Sequence, residues 1–141
     1  MKKITFILLA MVVGITSCKK DKENDDITNP NPNPNPTPTA TIAISEPEDM
    51  QMFDGGETVH IHAHISAPFD LHGYELFIIN ESSGDTVWTI DEHTHSMEIH
   101  IEETWVNDVT MHSDMVLQVK AIIDHDGNFT IAERHFHCHP M

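Results

Sequence analysis

His60, His62 and His64 alternate with Val59, Ile61, Ala63 and Ile65, so a strand through them turns three imidazoles to one face and four aliphatic residues to the other. A second stretch behaves alike. Glu98, His100 and Glu102 are expected outward, and Met97, Ile99 and Ile101 inward. Positions two apart on a strand lie about 6.5–7 Å apart, and opposed positions on neighbouring strands have Cβ atoms about 4.5–5.5 Å apart. Imidazole nitrogens that bind zinc at roughly 2.0–2.1 Å can meet at one ion from such positions. Neutral imidazole suits zinc, copper and nickel, and carboxylates beside it add charge or orient the rings. The expected metal ligands are His60, His62, His64 and His100, with Glu98 and Glu102 in support. This requires the two stretches to be neighbours in one sheet.

His135, His137, Cys138 and His139 form a second candidate group. With Phe136 inward, His135, His137 and His139 are expected together on the outer face. His93, His95, His112 and His125 fall in expected loops and can contribute from the ends. A single outward histidine is ordinarily a solvated polar residue. Three on one face beside a fourth across the sheet point further, because the surroundings are acidic. Residues 41–141 carry only Lys120 and Arg134 as bases against nineteen Asp and Glu, hence a net charge of −17 with histidine neutral. Such a surface repels nucleic acid and anionic lipid and attracts cations. Histidines near their usual pKa of about 6.5 would also discharge it on mild acidification.

The elements that hold these residues read as strands. Period-two runs cover 41–45, 58–65, 73–80, 86–91, 96–103, 115–124 and 128–138, and no segment has a helical period. Turn signals separate them: Asp54-Gly55-Gly56, Ser66-Ala67-Pro68, Glu81-Ser82-Ser83-Gly84-Asp85 and Asp124-His125-Asp126-Gly127-Asn128. Asp124, Asp126 and Asn128 alternate around Gly127 in the manner of a calcium loop. The remaining ligands of such a loop are missing, so the segment reads as a hairpin turn. The expectation is an all-β fold, a single antiparallel sandwich of about seven strands and about one hundred residues with one core. At least one of Trp88 and Trp105 is expected inside it.

Glu46-Pro47, then Gly55-Gly56-Glu57-Thr58-Val59 leading into a strand, Leu71-His72-Gly73-Tyr74-Glu75-Leu76, and Asp124-His125-Asp126-Gly127-Asn128 together resemble the immunoglobulin-like or fibronectin-III-like modules of Bacteroidetes surface lipoproteins. The resemblance spans most of 41–141 and implies a fold, not an activity. The paired cysteines and tryptophan of antibody domains are not there. His135-Phe136-His137-Cys138-His139 superficially resembles copper-zinc superoxide dismutases and multicopper oxidases. The further ligands of either pattern are unmatched, so redox chemistry does not carry over. No nucleophile elbow or phosphate-cradling glycine loop is present, and no enzyme is expected.

Residues 1–17 read as a lipoprotein signal peptide: Lys2 and Lys3, a twelve-residue apolar run at 4–15, then Thr16 and Ser17. That run is shorter than the roughly 20 residues a spanning helix needs. Ile15-Thr16-Ser17-Cys18 resembles a lipobox, which implies cleavage before Cys18 and a lipid on its thiol, a stable membrane anchor. Cys138 is then the one remaining thiol, whether buried, metal-bound or paired with another chain, and no intrachain disulfide can form. Residues 18–40 are a linker. Its charged start resembles surface-export signals of Bacteroidetes lipoproteins, which favours the outer membrane, at the cell surface over the periplasmic face. The Asn-Pro repeats and their extension at 29–39 form a polyproline-like spacer of roughly 30 Å at about 3.1 Å per residue.

The expected function is capture, buffering or delivery of zinc or copper by an envelope protein held to the membrane through Cys18, with an envelope protein as a further partner. The competing class is an adhesion or interaction module for a protein or glycan, with the histidines incidental. Its glycan form is weakened by few stacking aromatics, Trp88, Trp105 and Tyr74.

Overall fold

A computed structural model describes residues 38–141; the expected signal peptide, Cys18 and the expected linker up to residue 37 lie outside the described residues. The described residues form six strands: β1 (Thr41–Glu46), β2 (Gln51–Phe53), β3 (Thr58–Asn80), β4 (Thr86–Val106), β5 (Ser113–Ile122) and β6 (Phe129–Cys138). The described residues hold no helix. One sheet runs β1-β3-β5-β6-β2, and β4 pairs with β3 off that path. Every pairing is antiparallel except β2 with β6.

The seven expected strands become six because β3 and β4 each do the work of two and a short, unexpected β2 is added. β3 is 23 residues long and β4 is 21, against a usual strand of about five or six. The N-terminal half of β3 pairs with β1 and the C-terminal half of β4. Its C-terminal half pairs with β5 and the N-terminal half of β4. Two register shifts join the halves. From Ser66 to Leu71 β3 advances five residues while β4 passes from Glu98 to Ser96, leaving three residues of β3 unmatched. From Leu71 to Gly73 the partner moves from Ser96 to His93, leaving one residue of β4 unmatched. Bulges bend and twist a strand without ending it. The expected turn at Ser66-Ala67-Pro68 is therefore a bulge inside a continuous strand. Pro68 falls among its unmatched residues, where its missing N–H removes no ladder bond.

The bent hairpin curls the sheet around one core. Val59, Ile61 and Ile65 from the first half of β3, with Ile101 from β4, join Leu76, Ile78, Leu117, Val119 and Phe136 in a single buried cluster. The free side of β1 is tied to β6, where Arg134 Nη2 donates to Ile44 O at 2.8 Å. Trp105 is buried beside Phe136, as expected of one tryptophan. Met97 is not inward: it is 51% exposed. It lies between Ser96 and Glu98, opposite the β3 bulge, where Phe69 and Leu71 pack on the core instead.

β2, which sequence patterning did not pick out, is short because it serves one purpose. Its three residues run parallel to the end of β6, with Phe53 opposite Cys138. Both side chains are buried, and the Phe53 and Phe136 rings meet edge to face at 5.8 Å. Burial pushes the Cys138 thiol up to about 11 from 9.0. A rise of that size leaves about a hundredfold less thiolate at pH 8. Cys138 is accordingly expected to react with a disulfide reagent at pH 8 at least about 100 times more slowly in the native chain than in urea. Equal rates in the two conditions would contradict its placement.

Candidate metal centres

The first centre lies on the outer face of the β1–β3–β4 half. Buried Val59, Ile61, Ala63 and Ile65 fix the strand's inward face, so His60, His62 and His64 point the other way. On β4, buried Ile99 and Ile101 do the same for Glu98, His100 and Glu102. The register then sets His64 opposite His100, His62 opposite Glu102 and Ser66 opposite Glu98. The His64 and His100 rings stack at 4.6 Å with 22° between their planes. One ligand atom each from His64, Glu98 and His100 lies within 4.8 Å of the others. His64 Nε2 is shielded from solvent and has no hydrogen-bond partner.

Three of the six expected residues thus come together, and three do not. His62 Nδ1 instead faces Glu46 Oε2 at 3.4 Å, across to β1. Its opposite number Glu102 shares with it, His64 and His100 a shallow groove of about 250 Å³, floored by Ala63 and Ile101. His60 is opposite Thr104, and it lines a separate depression with Glu46, Glu48 and Gln51. These neighbours supply negative field beside the His64–His100 pair. Glu46 was not in the expected set, because only the β1–β3 pairing brings it to His62.

The second centre differs more from expectation. His112, His137 and His139 each offer a ligand atom within 4.8 Å of the others. Their ring centroids are 4.8 Å (His112–His139), 5.0 Å (His137–His139) and 5.9 Å (His112–His137) apart. Asp114 Oδ1 stands 2.8 Å from His137 Nδ1. A carboxylate on one ring nitrogen leaves Nε2 for an ion and fixes the ring's direction. His135 stands apart, with Nδ1 3.1 Å from Glu81 Oε1. Cys138 faces the core, so it is not a ligand here. His112, an expected loop residue, joins because Ser113 pairs with Cys138, which carries its neighbour to the end of β6.

Asn107 anchors this end of the molecule. It is fully buried, and its Nδ2 donates to Phe53 O (3.3 Å), Asp54 O (3.1 Å) and His139 O (2.9 Å). Its backbone N–H donates to Glu57 O, and its carbonyl accepts from Gly56 N–H. One side chain therefore holds β2, the β2–β3 turn and His139 together.

Four more histidines gather at the bend of the β3–β4 hairpin. His72 has ring centroids of His125, His95 and His93 at 3.9, 4.8 and 6.2 Å, and His93 and His95 are 4.8 Å apart. Burial holds the His72 pKa below its ordinary 6.5, helped by His125, His95 and His93 and opposed by Asp124. Asp124 itself is held low by Asn128, whose Nδ2 donates to it at 2.7 Å. The turn at 124–128 is thus a clasped hairpin turn, as its sequence implied: Gly127 takes a φ of 87°, and Asp124 Oδ1 accepts from the N–H groups of Asp126 and Asn128.

Cations have little competition on this surface. Lys120 is paired with Glu75 at 2.7 Å, and Arg134 reaches back to β1. No family model and no curated protein matches the chain. Among solved structures, it is similar to the fibronectin(III)-like modules of Clostridium thermocellum CbhA, at 12% identity and a TM-score of 0.48, over 72% of this chain and 98% of that one. A likeness that distant carries no argument about activity.

Proposed function

We propose that this is a lipid-anchored envelope protein that binds a late transition metal, zinc or copper, for capture, buffering or delivery. The anchor is the lipid on Cys18, the location the outer membrane at its outer surface, and the folded part an immunoglobulin-like or fibronectin-III-like sandwich. In that reading the halves of β3 and β4 stand for four of seven strand segments. The role is non-catalytic. One observation carries the metal: His64, His100 and Glu98 bring ligand atoms within 4.8 Å of one another, on adjacent strands of an acidic surface. The His112–His137–His139 triplet, with Asp114 behind His137, supports a second ion. Imidazole with few carboxylates selects zinc or copper over magnesium or calcium, which take oxygen ligands.

The test is calorimetric titration of the metal-free full chain with zinc and with copper(II). Binding tighter than about 1 μM is expected, with one equivalent lost in the His64→Ala, His100→Ala variant and another in His137→Ala, His139→Ala. Binding only near about 1 mM, unchanged by either pair, rejects the proposal. A second reading has its own support. Met50, Met52, Met111 and Met141 are between 67% and 81% exposed, and Met52 lies opposite His137 in the β2–β6 register. An interaction module would use such apolar, adaptable side chains against a protein partner. That reading gains if the chain binds no metal.

A further inference from the structure

Nine of the twelve histidines fall into three groups, and the third has no role in the two centres above. We propose that His72, His93, His95 and His125 form a separate site for a divalent late transition ion bound by imidazole nitrogen alone.

Ring spacing is the first ground. Two imidazoles on one tetrahedral zinc, with Zn–N bonds of roughly 2.0–2.1 Å, have ring centroids about 5 Å apart. The separations here, 3.9, 4.8, 4.8 and 6.2 Å, bracket that value. The ring nitrogens do not yet converge as tightly as those of the two triplets. The proposal requires the rings to turn about their side-chain bonds, and three of the four residues, His93, His95 and His125, are exposed.

Partner atoms are the second ground. His62, His135 and His137 each have a carboxylate within 3.4 Å. Among the described residues no such pair involves His72, His93, His95 or His125, in a domain with nineteen acids. His72 Nδ1 is shielded from solvent and has no hydrogen-bond partner. A buried polar atom left open costs free energy unless something fills its lone pair or takes its proton, and a metal ion does the first.

The backbone that gathers these rings is the third ground. An unmatched residue of β4 lies between the partners of Leu71 and Gly73, in the stretch that carries His95. Gly73 has a φ of 143° and lies so close to β4 that a Cβ there would overlap Glu92 O. The clasped Asp124–Asn128 turn brings His125 over from the β5–β6 connection. Three separate backbone devices thus deliver side chains to one spot. A solvated surface would need none of them.

The experiment is a zinc titration of the full chain carrying His64→Ala, His100→Ala, His137→Ala and His139→Ala, read by calorimetry and by imidazole nitrogen chemical shifts. One equivalent should still bind, moving the nitrogen resonances of His72, His93, His95 and His125. Adding His95→Ala should weaken it at least about 100-fold, since loss of an outer-shell partner alone costs 10–100-fold. His93→Ala should act likewise, and both positions are exposed, so neither opens a core cavity. No zinc binding in the fourfold variant overturns the proposal, as does binding that both further substitutions leave unchanged. The fate of the two-triplet proposal is read separately: if it fails, the fourfold variant binds as many equivalents as the unmodified chain.

Discussion

Gly73→Val is expected to lower the unfolding free energy by about 3 kcal/mol or more, read by urea denaturation of the full chain. Two costs combine. The residue sits at φ 143°, where a β-branched side chain is strained by about 1–3 kcal/mol. Its new Cβ would also collide with Glu92 O, which is backbone and cannot swing aside. Gly73 is the crossing point of the sheet, paired with His93 on one side and Ile122 on the other. Pushing β4 away there separates His93 and His95 from His72 and loosens the β3–β5 ladder. Gly127→Val serves as the comparison: that position also has positive φ, but no atom lies within 4 Å of its Cβ. It should lose the strain alone, about 1–2 kcal/mol. Equal losses at the two glycines would mean that the close approach of β3 and β4 contributes nothing.

How much of this was legible follows from where each piece of information resides. Period-two alternation is a property of the residues themselves, so the faces of His60, His62 and His64 and of Glu98, His100 and Glu102 could be read directly. The same alternation that turns His137 outward turns Cys138 inward, a consequence that the expected group of His135, His137, Cys138 and His139 did not take into account. Bulges are different. They are mismatches between partners, and neither strand's own sequence records them, so Ser66-Ala67-Pro68 looked like a turn and Met97 like a core residue. The second centre was half visible for the same reason. His137 and His139 share a strand face, but His112 reaches them only through the β5–β6 register, and Asp114 and Asn107 act across pairings that no local pattern announces.

A common feature links the three histidine groups. Each sits where the sheet is irregular or ends: beside the β1 edge, at the double bulge, and where β2 and β6 terminate. His64 and His100 meet across a regular pair of the ladder, but the other two groups need more than regular spacing. In those two, irregular backbone or a strand end brings rings from separate segments within reach, as loops on a rigid scaffold do elsewhere.

The end of the molecule at β2 and β6 depends most on a single side chain, and Asn107→Leu is expected to cost about 3–4 kcal/mol by the same denaturation assay. Leucine keeps the branched outline and the number of side-chain heavy atoms and is the bulkier of the two, so none of that loss would come from a cavity. It removes the donor shared by the carbonyls of Phe53, Asp54 and His139, all in a part of the fold where water has little access. Phe53 O keeps the His139 N–H and Asp54 O keeps the Glu57 N–H, so the groups left open are His139 O and the Val109 N–H that Asn107 Oδ1 accepts, at about 1–3 kcal/mol each, partly relieved where the chain can open to solvent. Opening is the informative consequence. Releasing His139 O frees the residue that completes the His112–His137–His139 triplet, so this variant should also lose that equivalent of metal, while the His64–His100 pair keeps its own. Asn107→Ala should be no more stable than Asn107→Leu if hydrogen bonding dominates. A leucine variant close to wild-type stability would show instead that Asn107 fills space and that its three carbonyl contacts are incidental.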